Sequence, residues 1–117
     1  IPLNMFQDDT SGNRSKKWNK FESFSMVPAA LPLDERNKRA NTHLICVHNR
    51  LSSGEIVRSI VDDLKELEEG IEMYDAGTGS KVLVVAPLNL ITADNPAHGE
   101  LSCTKRFQSA SYPCRKC

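Results

Sequence analysis

Apolar and polar positions along the 117-residue chain alternate with two different periods, and these divide it into elements. "LNMF" is a short apolar run that ends on the adjacent acids Asp8 and Asp9, followed by the polar tract "TSGNRSKKWNK", a turn or loop by composition. In "FESFSMVPAALP", Phe24 and Met26 alternate with serines, the pattern of a half-buried strand, and Pro28 and Pro32 bring it to an end. "LDERNKRAN" reads as a charged connector. "THLICVHN" packs Leu44, Ile45, Cys46 and Val47 without interruption, which predicts a strand covered on both faces.

The period then changes to that of a helix. In "LSSGEIVRSIVDDLKELEEG", Ile56, Ile60, Leu64 and Leu67 form one stripe with Val57 and Val61 beside it. Ser52 with Glu55 three residues on is a capping-box signature, and Gly70 suits a positive-φ stop. The acidic run "DDLKELEEGIE" is the solvated face of this helix. Beyond it, "IEMYDAGTGSKVLVVAPLNLITADNPA" predicts two strands around a turn at Gly77 to Ser80, the second running from Val82 to Ile91. Pro87 lacks the N–H that a central ladder needs, so a bulge or break is expected between "VLVVA" and "LNLITAD". From Pro96 onward no period is long enough to assign an element.

Composition narrows the class. The length fits one domain or part of one, and an initial Ile with a final Cys117 suggests a fragment whose sheet would leave apolar surface exposed and whose stability would be marginal. Fifteen Lys and Arg against fifteen Asp and Glu remove any global charge argument for a nucleic-acid or membrane partner. No apolar run approaches the length of a membrane span, and Ile1 to Phe6 lacks the features of a signal peptide, so the chain reads as soluble and intracellular. A local basic cluster remains around Trp18, with Arg14, Lys16, Lys17 and Lys20; it reads as a solvated loop, with contact to a DNA backbone as the alternative.

The candidate chemistry lies in acids and in cysteines. Asp8 and Asp9 close one apolar strand and Asp94 closes another. A parallel pairing of those strands would bring the acids together, as a hard divalent ion with oxygen ligands requires. Both sites also have a plain reading, since "DDTSGN" and "DNP" are good turns. The order strand, strand, strand, helix, strand, with acids on the first and fourth core strands, is that of a ribonuclease-H-like nuclease core, in which two metal ions assist phosphodiester cleavage and strand transfer. Cys114 and Cys117 have zinc-knuckle spacing, with Cys103 and His98 near enough in sequence to complete a Cys₃His set; ligands from sequence beyond Cys117, or free thiols, are the alternatives. Cys46 reads as a core residue, and His43 and His48 as surface or strand-edge residues.

Beyond single motifs, "PLNMFQDDTSGNRSKKWNKFESF", "EEGIEMYDAGTGSKVLVVAPLNLITADNPAHGEL" and the closing "CRKC" resemble the catalytic region of eukaryotic cut-and-paste DNA transposases of the Kyakuja-Dileera-Zisupton type and the related CACTA-type enzymes. The resemblance runs along nearly the whole chain. It implies an α/β, ribonuclease-H-like core over residues 1–97 and the start of a cysteine-rich, zinc-binding insertion over 98–117. It also implies that Asp9, or alternatively Asp8, and Asp94 are catalytic acids holding Mg²⁺ or Mn²⁺. The third acid, usually a Glu, is expected after the insertion, so the fragment alone is expected to be inactive. The implied partner is DNA at transposon ends, the implied location the nucleus, and the implied structural ion Zn²⁺. The alternative, from another class, is a non-enzymatic zinc-binding module that holds DNA or protein, derived from a decayed or domesticated transposon.

Overall fold

The computed structural model of the chain describes residues 1–11 and 20–104. The basic residues Arg14, Lys16 and Lys17 with Trp18, and the cysteines Cys114 and Cys117, lie outside the described residues. The described chain is a mixed α/β unit built on a four-stranded sheet in the order β3-β2-β1-β6. Strands β1 (Leu3–Ser11), β2 (Lys20–Pro28) and β3 (His43–His48) pair antiparallel in succession, and β6 (Leu88–Ala93) adds parallel to β1.

The first strand differs from expectation at its end. It runs on through Asp8 and Asp9, which sit inside β1 opposite Ser23 and Glu22 of β2. A carboxylate can stand within a ladder because only the backbone takes part in pairing, and alternation sends neighbouring side chains to opposite faces. Along β2 the same alternation turns Glu22, Phe24 and Met26 inward. The connector after Pro32 is partly helical, with α1 (Leu33–Arg36) and a short 3₁₀ turn over Arg39–Asn41.

Helix α2 (Ser53–Glu69) lies where its period places it. Ser52 Oγ accepts from the Glu55 backbone N–H while the Glu55 carboxylate accepts from the Ser52 N–H, and Gly70 ends the helix at φ 109°. A Cβ at Gly70 would approach Leu83 and Val85 side chains to 3.1 Å, so both backbone and space favour glycine there. The inner stripe of α2 covers one face of the sheet: Met5, Phe24, Met26, Ile56 and Leu64 form the core, with Leu3, Cys46, Val57, Ile60, Leu88, Ile91 and Leu101 packed against it. Each large side chain removed from water here contributes roughly 1.5–3 kcal/mol.

Three readings are corrected or refined by this arrangement. Strand β3 is an edge strand rather than one covered on both faces; Leu44 is 68% exposed, and Phe6, Val47 and Leu90 are also exposed. Cys46, expected in the core, is half-buried at its margin. The apolar run after α2 is two strands, not one. Strands β4 (Ile71–Asp75) and β5 (Ser80–Val84) form a separate antiparallel hairpin, and the chain then leaves the ladder at Val85 to Pro87 before entering β6.

The break expected at Pro87 is present. It is held by the Ala86 N–H donating to the Leu67 carbonyl at 2.7 Å and the Leu3 N–H donating to the Pro87 carbonyl at 2.9 Å. Because Pro87 offers no N–H, the chain changes sheet there. After β6 a short helix, α3 (Asn95–Leu101), packs beside α2 and β6 where no element was assigned. The boundary expected between residues 97 and 98 falls within it.

Candidate metal centre

The parallel pairing of β1 and β6 sets Gln7 beside Ala93, so that Asp94, the next residue, follows at the same end of the sheet as Asp9. Asp9 and Asp94 line one small cavity of about 90 Å³ together with Gln7, Lys20, Glu22, Ser53, Pro96, Ala97 and Glu100. That volume has room for more than one water or a small hydrated ion. Asp8 does not line the cavity: alternation along β1 puts its side chain on the other face, and its backbone carbonyl accepts from Ser23 Oγ at 2.9 Å.

Asp94 has a backbone role of its own. It is the N-cap of α3, with Oδ1 accepting from the Ala97 N–H at 2.9 Å, and Pro96 occupies the first turn. The turn reading of "DNP" is therefore right about its backbone role. The cap uses Oδ1, while Oδ2 takes no part in it.

Glu22 and Gln7 were missed in the sequence, and they organise the floor of the cavity. Both are buried, at 9% and 1% exposure. Glu22 Oε2 accepts from Gln7 Nε2 and, at 3.1 Å, from Ser53 Oγ; Gln7 Nε2 also lies 3.2 Å from Ser53 Oγ. Glu22 Oε1 accepts from the Lys20 ammonium at 2.7 Å, and the same ammonium stands 3.5 Å from Asp9 Oδ2. Bonding to Glu22, with Asp9 close by, raises the Lys20 pKa above its ordinary value, against the opposing effect of burial. Lys20, read from the sequence as part of a solvated loop, is thus the counter-ion of two acids.

The signal for Glu22 was available. It holds the inward position of the alternating run that contains Phe24 and Met26, and a carboxylate on the core face of a strand demands partners. Gln7 has the same position relative to Met5. Its Oε1 is buried without a hydrogen-bond partner among the described residues.

The donor set is one of oxygens, which suits Mg²⁺ or Mn²⁺ rather than a soft ion. As the side chains stand, no three His, Cys, Asp or Glu residues among the described residues are gathered closely enough to hold a metal ion. The ammonium of Lys20 between Asp9 and Glu22 is consistent with that spacing, because it neutralises the pair that an ion would otherwise draw together.

The other candidates disperse. His98 lies in α3 with Nδ1 buried and unpartnered among the described residues, and Cys103 follows that helix, exposed, at φ 54°. Cys114 and Cys117 fall outside the described residues, so the Cys₃His set has only these two members within them. His43 is exposed at the edge strand; His48 Nδ1 accepts from the Arg50 and Leu51 N–H groups at 2.9 Å each, a turn-stabilising role. No helix among the described residues is long and apolar enough to cross a membrane. No protein-family model, curated protein or solved structure matches the chain.

Proposed function

We propose that this chain carries part of the catalytic core of a metal-dependent DNA strand-cleaving and strand-transferring enzyme of the cut-and-paste transposase kind. The observation that supports this most is the parallel β1–β6 pairing, which brings Asp9 and Asp94 to one cavity from positions far apart in sequence. A three-stranded antiparallel start, a helix on one face and a parallel strand beside the first agree with a ribonuclease-H-like core, with the β4–β5 hairpin as an addition between helix and strand.

In this reading Asp9 and Asp94 hold Mg²⁺ or Mn²⁺. Asp9 stands in the β1–β2 ladder, and the Asp94 cap uses Oδ1, which leaves Oδ2 as the ligand oxygen in this reading. When bound, such an ion lowers the pKa of an attacking hydroxyl and neutralises charge on the phosphate. Gln7, Glu22 and Ser53 form the hydrogen-bonded floor that keeps the strand ends in place. The resemblance expects a third acid after the C-x-x-C; Glu100 lines the cavity but precedes that motif. DNA as partner, a nuclear location and a Zn²⁺ site that includes Cys114 and Cys117 belong to the same proposal.

Calorimetric titration with Mn²⁺, after zinc is stripped, tests it on the 117-residue chain. The wild type is expected to bind, and the Asp9→Asn/Asp94→Asn double variant to bind at least about tenfold more weakly, since two of its ionised oxygen ligands are gone. Equal binding by both would overturn the reading and leave a non-enzymatic zinc-binding module as the better account.

A further inference from the structure

Strand β3 forms one edge of the four-stranded sheet, and no strand among the described residues pairs with its far side. Such an edge offers a row of backbone N–H and C=O groups to any extended chain, and proteins guard it with charged residues, proline or a bulge. The sequence of β3, His43-Leu44-Ile45-Cys46-Val47-His48, holds no lysine, acid or proline, and Leu44, Ile45 and Val47 are exposed. It does carry a bulge. Val47 pairs with Ser23 and Cys46 with Phe24, but Leu44 rather than Ile45 pairs with Ser25, so Ile45 is extra.

The bulge decides which partner fits. Opposed residues of an antiparallel pair share a face, and in a regular strand residues three apart lie on opposite faces. The extra residue removes that conflict in β3. Leu44 and Val47, beside Ser25 and Ser23, both lie on the face away from buried Phe24, whereas His43 and His48, beside Met26 and Glu22, both lie on the face of Phe24. The strand also has the same order of residue types from either end: a histidine, a branched aliphatic residue, then a compact apolar pair, Ile45 and Cys46. A two-fold axis normal to the sheet, midway between Ile45 and Cys46, sets Leu44 against Val47 of a second copy on one face and His43 against His48 on the other. A partner strand without a bulge at this place loses step with these faces, while a second copy brings the bulge with it.

We propose that β3 is a self-association edge, through which two copies of the chain pair antiparallel and continue one sheet across a two-fold axis. The occupant is a second copy because the face pattern and the order of residues are self-complementary. The pairing is independent of the metal reading of the Asp9/Asp94 cavity. A ladder of six residues a side is at the small end of protein interfaces, so the dimer is reversible and depends on concentration.

The test is sedimentation velocity of the 117-residue chain, in EDTA and a reducing agent so that neither an ion nor a disulfide links the copies. The wild type is expected to pass from monomer to dimer between about 5 and 500 µM. Leu44→Glu and Val47→Lys each place a charge opposite an apolar side chain twice per dimer, so each should raise the half-dimer concentration about tenfold or more. Mixed in equal amounts, the two variants should recover the dimer, because the carboxylate of one then faces the ammonium of the other. Phe6→Ala, two strands away on the bare face, should leave association unchanged.

A wild type that stays monomeric over this range overturns the proposal. So does a mixture that dimerises no better than its components, which rejects the register, and so does loss of the dimer in Phe6→Ala, which shows that copies meet through the sheet face. Amide hydrogen exchange of the wild type needs no substitution and covers the case in which a variant does not fold. Exchange across His43–His48 should slow as the protein is concentrated, and an exchange rate independent of concentration overturns the proposal.

Discussion

Replacing Asp94 by Asn and by Ala separates its N-cap role from the ligand role proposed for it. Asn is as good an N-cap as Asp, so Asp94→Asn keeps the bond to the Ala97 N–H and removes only the charge. Asp94→Ala removes the cap, which costs about 1 kcal/mol, and loosens a helix whose Leu101 packs on the core. For a domain of this size that is a fall in melting temperature of roughly 3–6 °C. Metal linkage adds the second axis: at a free Mn²⁺ concentration about ten times its Kd, a protein that binds only when folded gains about 1.4 kcal/mol. Thermal melts by circular dichroism, in EDTA and in Mn²⁺, should then show three patterns. The wild type melts highest and rises with Mn²⁺; Asp94→Asn matches it within about 1 °C in EDTA but rises little with the ion; Asp94→Ala is low in both. An Asp94→Asn protein that gains as much from Mn²⁺ as the wild type would refute the ligand role, and one that melts as low as Asp94→Ala in EDTA would refute the cap.

Two further outcomes follow from the fold. Phe24 is fully buried between the sheet and α2, so Phe24→Ala should cost about 3–5 kcal/mol, read as a lower urea midpoint, whereas Phe6→Ala on the exposed face should shift it little. Glu55 accepts from the Ser52 N–H and Oγ, which hold its carboxyl below the ordinary value; the resulting stability is full above the unfolded carboxylate pKa of about 4.3 and is lost as pH falls through the lower folded value. The gap in melting temperature between wild type and Glu55→Gln should therefore narrow below about pH 4, and a gap that stays constant down to about pH 2 would contradict this assignment.

The elements that local chemistry controls were legible in the sequence. The α2 helix, its capping box, its glycine stop and the chain's departure from the ladder at Pro87 all depend on residues within a few positions of one another. Strand β2 was legible because its alternation faces a single covering helix. The covering of β3 was not, since a continuous apolar run is consistent with a buried strand or with an edge strand whose outer face is bare, and only the neighbours decide. Helix α3 was missed because seven residues hold less than two full periods, and it is held by a cap and by packing on α2 rather than by its own pattern.

The candidate site divides along the same line. Which residues can bind a hard cation is a property of side chains, and Asp9 and Asp94 were named on that ground with Asp8 as the alternative. Strand alternation then places Asp9 with Gln7 on the covered face and Asp8 on the other, a two-residue period that the register against β2 and β6 turns into a definite position. Glu22, Gln7 and Ser53 entered only with the tertiary structure, and Lys20, named in the sequence as part of a basic cluster, gained its acid partners there. Their roles depend on contacts between β1, β2 and the first turn of α2, and pairing energy across such distances is carried by register and burial, not by any motif in the chain. The sequence by itself determined the helix, its ends and the strand break at Pro87; the tertiary structure alone decided which acids line one cavity, because two strands remote in sequence become neighbours only when a shared core makes their parallel pairing the lowest free energy.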